Sequence, residues 1–268
     1  MTREPSIWGV AEAYERYIGR WSEPVGAAFL DWLALPAGLR WLDVGCGTGA
    51  LSRGIARAAS PALVHGIDSS AAFVGLAAAS TGEAERTRFT TGDALDLPVG
   101  DGAFDVAVSG LVLNFLGDHG RAVAELRRSV RPGGTVAVYV WDYADGMQLI
   151  RRFWDAAVAL DPAAAALDEG RRFPICAPDA LAALFAGGGL AQVETRPIVT
   201  PTVFSDLDDL WEPFLGAQGP APAYVAGLAE PDRARLRERL RSSLPVAADG
   251  SIALSARAFA VRGVRPES

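Results

Sequence analysis

The groups in this chain that are equipped for chemistry gather around one loop. Leu42-Asp-Val-Gly-Cys-Gly-Thr-Gly49 follows a short apolar run and opens a helical pattern. Glycines at 45, 47 and 49 remove side chains where the backbone must turn sharply and approach a ligand. The helix behind them offers unpaired N–H groups and the positive end of a dipole, which suits a polar, nucleotide-like ligand. Gly45-x-Gly47-x-x-Ala50 also satisfies the dinucleotide fingerprint. Asp68 lies 23 residues beyond Gly45, where a carboxylate can accept hydrogen bonds from both hydroxyls of a ribose. The lesser alternative is that it caps a helix starting near Ser70, a task open to Ser69 and Ser70 while Asp68 binds. A further carboxylate, Asp93, stands in Thr91-Gly-Asp-Ala-Leu-Asp-Leu-Pro98.

Other chemistries are excluded by composition. The 25 basic residues are all arginine, so mechanisms that need a Schiff-base lysine, a P-loop lysine or a Tyr–Lys pair are closed. A guanidinium stays protonated and cannot replace an amine that must lose its proton. Cys46 and Cys176, with His65 and His119, are too scattered for a zinc site, and no metal is expected. Two distant cysteines read as reduced thiols in a cytoplasmic protein. A net charge of −7 and a pI near 5.0 argue against nucleic acid as a partner. The N-terminus carries no signal-peptide pattern, and the longest apolar stretch, 106–116, is too short to span a bilayer, so no membrane partner is expected. Half the residues are apolar and 21% are charged, which describes a folded chain with a sizeable core. The oligomeric state is not readable from these features.

The elements that must hold the loop alternate. Tyr14, Tyr17 and Ile18 share one helical face; Val25, Phe29, Trp32 and Leu33 form a second stripe, ended by Pro36 and Gly38. Strands are expected at 40–44, 62–67, 86–90, 104–110 and 134–142, with helices at 49–59, 70–79 and 119–130. Pro132-Gly133-Gly134 is expected to turn the last of these helices into its strand. Such alternation predicts a parallel sheet covered on both faces. Further on, helices are expected at 146–160, from 178 and at 231–243, and strands at 190–204 and 252–263. The expected architecture is α/β: a doubly wound, mostly parallel, seven-stranded sheet within a single domain, 1–268. Residues 1–39 would form an N-terminal helical cap and 40–142 the ligand-binding core. Within 143–268, a helical cover at 205–245 would be inserted between the last two strands.

In order along the chain stand the acidic-x-Gly-x-Gly-x-Gly loop at 43–49, Gly66-Ile-Asp-Ser-Ser70, Gly92-Asp-Ala94, and Leu126 followed by Arg131-Pro-Gly-Gly134. With these motifs the segment 40–142 resembles the class I S-adenosylmethionine-dependent methyltransferases, particularly the branch similar to the enzymes of ubiquinone and menaquinone biosynthesis. The resemblance implies a Rossmann-like methyltransferase fold and S-adenosylmethionine as cofactor. It implies that Gly45, Cys46 and Gly47 line the amino-acid end of the cofactor and that Asp43 orients that end through its loop. Asp68, with Ser69 beside it, would bind the ribose. Asp93 would bind the adenine amine with Ala94 adjacent, and Ser109 would face the methionine moiety. Tyr17-Ile-Gly-Arg20-Trp21 resembles a cap helix whose tyrosine and arginine touch the cofactor; ordinary helix packing explains the same residues.

Methyl transfer from a sulfonium is an in-line displacement that a protein assists mainly by alignment and exclusion of water, contributions that reach about 7–11 kcal/mol. A general base is not obligatory for an acceptor that is already ionised. Asn114, Tyr17 and His119 are the candidate catalytic groups. The resembling enzymes often carry histidine near position 114, so the asparagine here weighs against a histidine mechanism. His65 falls inside a strand as a packing residue, and His119 occupies a capping position. Ligands of such sheets bind beyond the carboxyl ends of the strands. That brings Asn114, Trp141 and Tyr143 to the reacting methyl, with Trp154, Trp211, Phe214 and Gln218 as further walls for a small, flat or apolar acceptor. Core packing is the readier explanation for any single one of these aromatics. The arginines of 233–241 read as an exposed helix face. Two other functions stay open on the sequence: an NAD-dependent oxidoreductase, and a non-methylating scaffold or cyclase that holds S-adenosylmethionine.

Overall fold

The computed structural model describes residues 19–81, 86–216 and 219–267; Tyr17, the Tyr14–Ile18 helical face and Gln218 lie outside the described residues. Seven strands are present: β1 (Arg40–Val44), β2 (Leu63–Asp68), β3 (Thr87–Thr91), β4 (Phe104–Gly110), β5 (Val130–Trp141), β6 (Ala191–Phe204) and β7 (Ile252–Val264). They form one sheet in the order β3-β2-β1-β4-β5-β7-β6. β1 pairs in parallel with β2 and β4, β2 with β3, and β4 with β5. β7 runs against β5, since the N–H of Gly133 donates to Arg265 O at one end and that of Asp142 to Arg257 O at the other. The doubly wound, mostly parallel, seven-stranded sheet expected from the sequence is therefore the one observed.

Ten α-helices are found among the described residues: α1 (Ser22–Leu33), α2 (Ala50–Ala58), α3 (Ala71–Thr81), α4 (His119–Ser129), α5 (Gln148–Leu160), α6 (Glu169–Arg172), α7 (Pro178–Gly187), α8 (Leu207–Trp211), α9 (Pro220–Gly227) and α10 (Glu230–Ser243). The last three are inserted between β6 and β7, as the sequence pattern requires. None is long and apolar enough to cross a membrane.

One boundary differs by more than two residues. β5 starts at Val130, not at 134, and Pro132-Gly133-Gly134 lies inside the strand as a bulge: Phe104 is opposite Val130, while Val106 is already opposite Thr135. Gly133 takes φ +73°, and a Cβ at Gly134 would come within 2.8 Å of the carbonyl oxygens of Arg131 and Asp105. Sequence punctuation of this type marks a turn or a bulge alike. Only pairing with β4 decides between them.

The chain separates into two compact units, each discontinuous in sequence. One comprises Glu23–Val140, Ile175–Ile198 and Ala258–Ser268. Its centre is the run of buried, largely aliphatic residues on β4 and β5, Val106 to Val108 and Val136 to Val140 with Tyr139 among them, the near-continuous apolar pattern that strands covered on both faces require. Val25, Phe29 and Leu33 of α1 are buried, as the helical stripe predicts, and so are Val123 and Leu126 of α4. The other unit comprises Met1–Ser22, Trp141–Pro174 and Val199–Arg257, and its core is aromatic. Phe153 stacks on Phe214 at 4.5 Å between centroids, and Trp154 meets Phe153 edge-on at 5.0 Å.

Candidate active site

Parallel pairing puts the carboxyl ends of β1, β2 and β3 side by side, and everything the glycine loop needs follows from that edge. Val44 lies opposite Ile67, and Asp68 opposite Thr91. Leaving β1, the chain reverses with three left-handed glycines, Gly45 (φ +74°), Gly47 (φ +53°) and Gly49 (φ +87°). The N–H groups of Gly45 and Cys46 both donate to Ile67 O, and Gly49 N–H closes the turn on Cys46 O.

The glycines are not equivalent. A Cβ at Gly45 would lie 2.6 Å from Val112, and one at Gly49 would press on Ala77 and Phe89. At Gly47 a Cβ would meet nothing within 4 Å, so the protein leaves space there. Gly49 stands at the N-cap of α2 with no side chain capping it, which leaves first-turn N–H groups for water or an anionic ligand group.

Asp68 ties the loop to its neighbour. Its Oδ2 accepts the N–H of Gly47 at 2.9 Å and its Oδ1 the N–H of Ser70 at 2.9 Å. The cap of α3 is Ser70, whose Oγ accepts from Phe73 N–H, while Ser69 is exposed. A carboxylate has roughly four acceptor sites, so two backbone bonds leave one lone pair on each oxygen for a vicinal diol. From the backbone O of Asp68 the chain of contacts continues to Gly92 N–H at 3.0 Å, next to Asp93. Asp93 is exposed; its Oδ1 accepts from Leu95 N–H at 2.9 Å, and Oδ2 has no hydrogen-bond partner among the described residues. Ala94 beside it is half-buried.

Two supports had no sequence signal strong enough to single them out. Ser52 of α2 donates to Asp43 Oδ2 at 2.6 Å, locking the end of β1 to the helix that follows the loop. Both residues are buried, and burial, reinforced by the charge of Asp68 against the Ser52 bond, raises the Asp43 carboxyl to about 6. Secondly, α4 holds the segment after Asp93. Arg121 Nε donates to Leu95 O at 2.5 Å, Glu125 accepts from Leu97 N–H at 2.8 Å, and Arg128 reaches Leu97 O, Val99 O and Asp101. Arg128's hydrogen bonds keep the Glu125 carboxyl below its ordinary range. Polar residues on the inner face of an otherwise amphipathic helix are the only hint in the sequence.

Cys46 is buried within the loop, and burial, with the nearby charges of Asp43 and Asp68, pushes its thiol well above the usual range. His65 is a packing residue: its Nε2 lies 2.8 Å from Thr90 Oγ1, and burial together with Arg88 lowers it to about 4.

Beyond β4 the backbone is strained. Leu111 takes φ +62°, a left-handed conformation that costs a bulky residue about 1–2 kcal/mol. Ser109 is buried in β4 opposite Val138, and Asn114 is buried in the 3-10 turn Leu113–Phe115. His119 opens α4 with Asp118 as its N-cap. These residues share a unit with Asp43, Asp68 and Asp93.

The remaining expected site residues belong to the other unit. Arg20 forms an ion pair with Asp209 at 3.1 Å and lies over the rings of Trp21 and Phe204. Trp154, Trp211 and Phe214 are buried against one another and Phe153, so in this structure they are packing partners within that core. Tyr143 packs near Phe173, and Trp141 is buried with Nε1 unpartnered among the described residues. The α10 arginines pair with neighbours, Arg233 with Glu230, Arg235 with Asp232 and Arg241 with Glu238, as an exposed helix face does.

A seven-stranded sheet of this order, with a glycine turn after β1 and carboxylates after β2 and β3, is an α/β fold whose strand ends present the groups that suit a nucleoside ligand. Residues 42–138 match the methyltransferase domain family. The chain is 32% identical over 206 residues to the trans-aconitate 2-methyltransferase of Deinococcus radiodurans, covering 76% of this chain and 77% of that enzyme. It is also 32% identical over 187 residues to the 2-methyl-6-phytyl-1,4-hydroquinone methyltransferase of Synechocystis, of which it spans 57%. In fold it is similar to a putative methyltransferase from an antibiotic biosynthesis pathway of Anabaena variabilis, with TM-score 0.61, 20% identity, and coverage of 88% of this chain and 96% of that one. The chain belongs to the class I S-adenosylmethionine-dependent methyltransferases, and S-adenosylmethionine is its cofactor.

Proposed function

We propose that the protein methylates a small-molecule acceptor, with the cofactor held by Gly45, Cys46, Gly47, Asp68 and Asp93. The observation that carries this reading is the bonded series from Gly47 through Asp68 to Gly92, next to Asp93. The groups present fit the cofactor: open space over Gly47, lone pairs on Asp68 and an exposed Asp93. When bound, S-adenosylmethionine supplies a methyl group on a positively charged sulfur. Asp68 holds the ribose, Asp93 the adenine amine, and the uncapped start of α2 the amino-acid carboxylate. Asp43 stays buried and acts through Ser52 to keep the loop in shape. Ser109, buried near the end of β4, would face the methionine moiety. The chain's residues contribute alignment and exclusion of water, worth about 7–11 kcal/mol at best.

The relatives named for trans-aconitate and for a hydroquinone support a small organic acceptor. A net charge of −7 supports the absence of a nucleic-acid partner, and two cysteines far apart in the chain support a cytoplasmic setting. The test is calorimetry with S-adenosylhomocysteine and with NAD, followed by assay of S-adenosylhomocysteine formation across carboxylate and hydroquinone acceptors. Binding of S-adenosylhomocysteine and turnover of an acceptor are expected. NAD binding in its place would overturn the reading, and cofactor binding without turnover of any acceptor would favour a scaffold.

A further inference from the structure

We infer that Asn114 holds an oxygen atom of the methyl acceptor, so that the acceptor is an oxygen-bearing carboxylate, enolate or hydroxyl compound and not an ammonium. The inference rests on the methyl-transfer reading and adds the acceptor's chemistry to it. Asn114 is the sole asparagine in 268 residues. It is 5% exposed, and its Nδ2 is buried without a hydrogen-bond partner among the described residues. A buried amide with nothing to bond is destabilising, and an apolar side chain of similar shape would remove that cost. Such a group calls for an explanation outside the free protein's own packing.

Its position supplies one. Asn114 lies in the turn just after β4, on the carboxyl side where ligands of open parallel sheets bind, three residues beyond the strained backbone of Leu111. Five residues further on, His119 opens α4, which packs against that turn, and His119 Nε2 is a second buried nitrogen with no partner among the described residues. Two unpaired nitrogens on one short segment point to a polar ligand group. Nδ2 carries two hydrogens and no lone pair, so its partner must offer a lone pair beyond the one that attacks the methyl group; an amine nitrogen has only that one, whereas oxygen keeps a second for the amide. In the transfer, a lone pair of the attacking oxygen forms the new C–O bond while the C–S bond breaks and sulfur keeps its electron pair. A carboxylate or enolate has no proton to lose, and a hydroxyl acceptor releases its O–H proton to water; Asn114 moves no proton and fixes where the oxygen stands.

A single asparagine makes the test direct, because labelling asparagine with 15N in the side chain yields one NH2 pair by NMR. The full chain is first saturated with S-adenosylhomocysteine, then titrated with trans-aconitate and, separately, with 1,4-naphthohydroquinone. With at least one probe, one proton of the pair should move downfield and exchange more slowly. Asn114→Leu should melt at the same temperature as the parent or higher, bind S-adenosylhomocysteine equally well, and weaken that probe about tenfold or more. A pair already shifted fully by S-adenosylhomocysteine alone, a pair unmoved by both probes, or a variant that melts several degrees lower would each overturn the inference. Failure to bind S-adenosylhomocysteine at all would instead overturn the methyl-transfer reading, so the two failures are told apart.

Discussion

Replacing Asp68 with alanine separates the two tasks this carboxylate performs. In the free protein it accepts the N–H groups of Gly47 and Ser70, both at 2.9 Å. Hydrogen bonds to charged groups contribute about 1.5–3 kcal/mol each, and the half-exposed position favours the lower end, so stability should fall by about 3 kcal/mol. For a chain of this size that corresponds to a drop in Tm of roughly 6–12 °C. The ribose adds two further charge-assisted bonds, whose loss should raise the Kd for S-adenosylhomocysteine by about two to three orders of magnitude. Asp68→Asn keeps one carbonyl oxygen for one of the two backbone donors and should recover part of the stability while leaving nucleotide binding poor. Calorimetry and thermal melting of both variants, with Arg235→Ala and Arg239→Ala of α10 as controls, provide the measurement. If Asp68→Ala binds no more weakly than the arginine variants, or if asparagine restores binding and melting together, Asp68 is only a brace and the ribose assignment is wrong.

Gly47→Ala should melt only a few degrees lower, because φ +53° costs about 1–2 kcal/mol and the added methyl meets nothing; its affinity for S-adenosylhomocysteine should nevertheless fall tenfold or more. Gly45→Ala, 2.6 Å from Val112, should melt well below it, and the reverse order in thermal melts would contradict the loop geometry. Asp43, raised from 3.8 to about 6, binds its proton more tightly folded than unfolded, so it costs stability progressively as pH rises from about 4 to 6 and uniformly above that. His65, lowered to about 4, acts in the opposite sense, its stabilisation being lost as pH falls from 6.5 towards 4. The difference between the parent and Asp43→Asn isolates Asp43: denaturant unfolding at stepped pH should show the variant gaining relative stability up to about pH 6, by about 3 kcal/mol, and a flat difference would refute the buried carboxyl. Cys46 should resist iodoacetamide in the native protein and react only on unfolding; rapid native alkylation, located by mass spectrometry, would show the loop to be more open than described.

Much of the cofactor half was legible in the chain because its determinants are local. Largely apolar runs of five to seven residues separated by helical stripes define strands and helices wherever they sit, and they do so at β1, β2 and β4; β3, Thr-Arg-Phe-Thr-Thr, is marked by its β-branched residues instead. A left-handed turn needs glycine at its own position, so Gly45, Gly47 and Gly49 announce the loop without reference to anything distant. The bulge in β5 shows the limit: Pro132-Gly133-Gly134 punctuates the chain, but whether it turns or bulges depends on which residue of β4 stands opposite.

By itself, then, the sequence determined the order of elements, the glycine turn and the spacing of the carboxylates that follow β2 and β3. Tertiary structure decided which of those groups have partners. That Asp68 braces Gly47, that Ser52 meets Asp43, that Trp154 and Phe214 fill a core, and that Asn114 Nδ2 is buried with no partner among the described residues are all decided across sequence separation. Periodicity reports which face a residue lies on. Pairing and burial depend on what the rest of the chain brings to that face, and no local pattern encodes it.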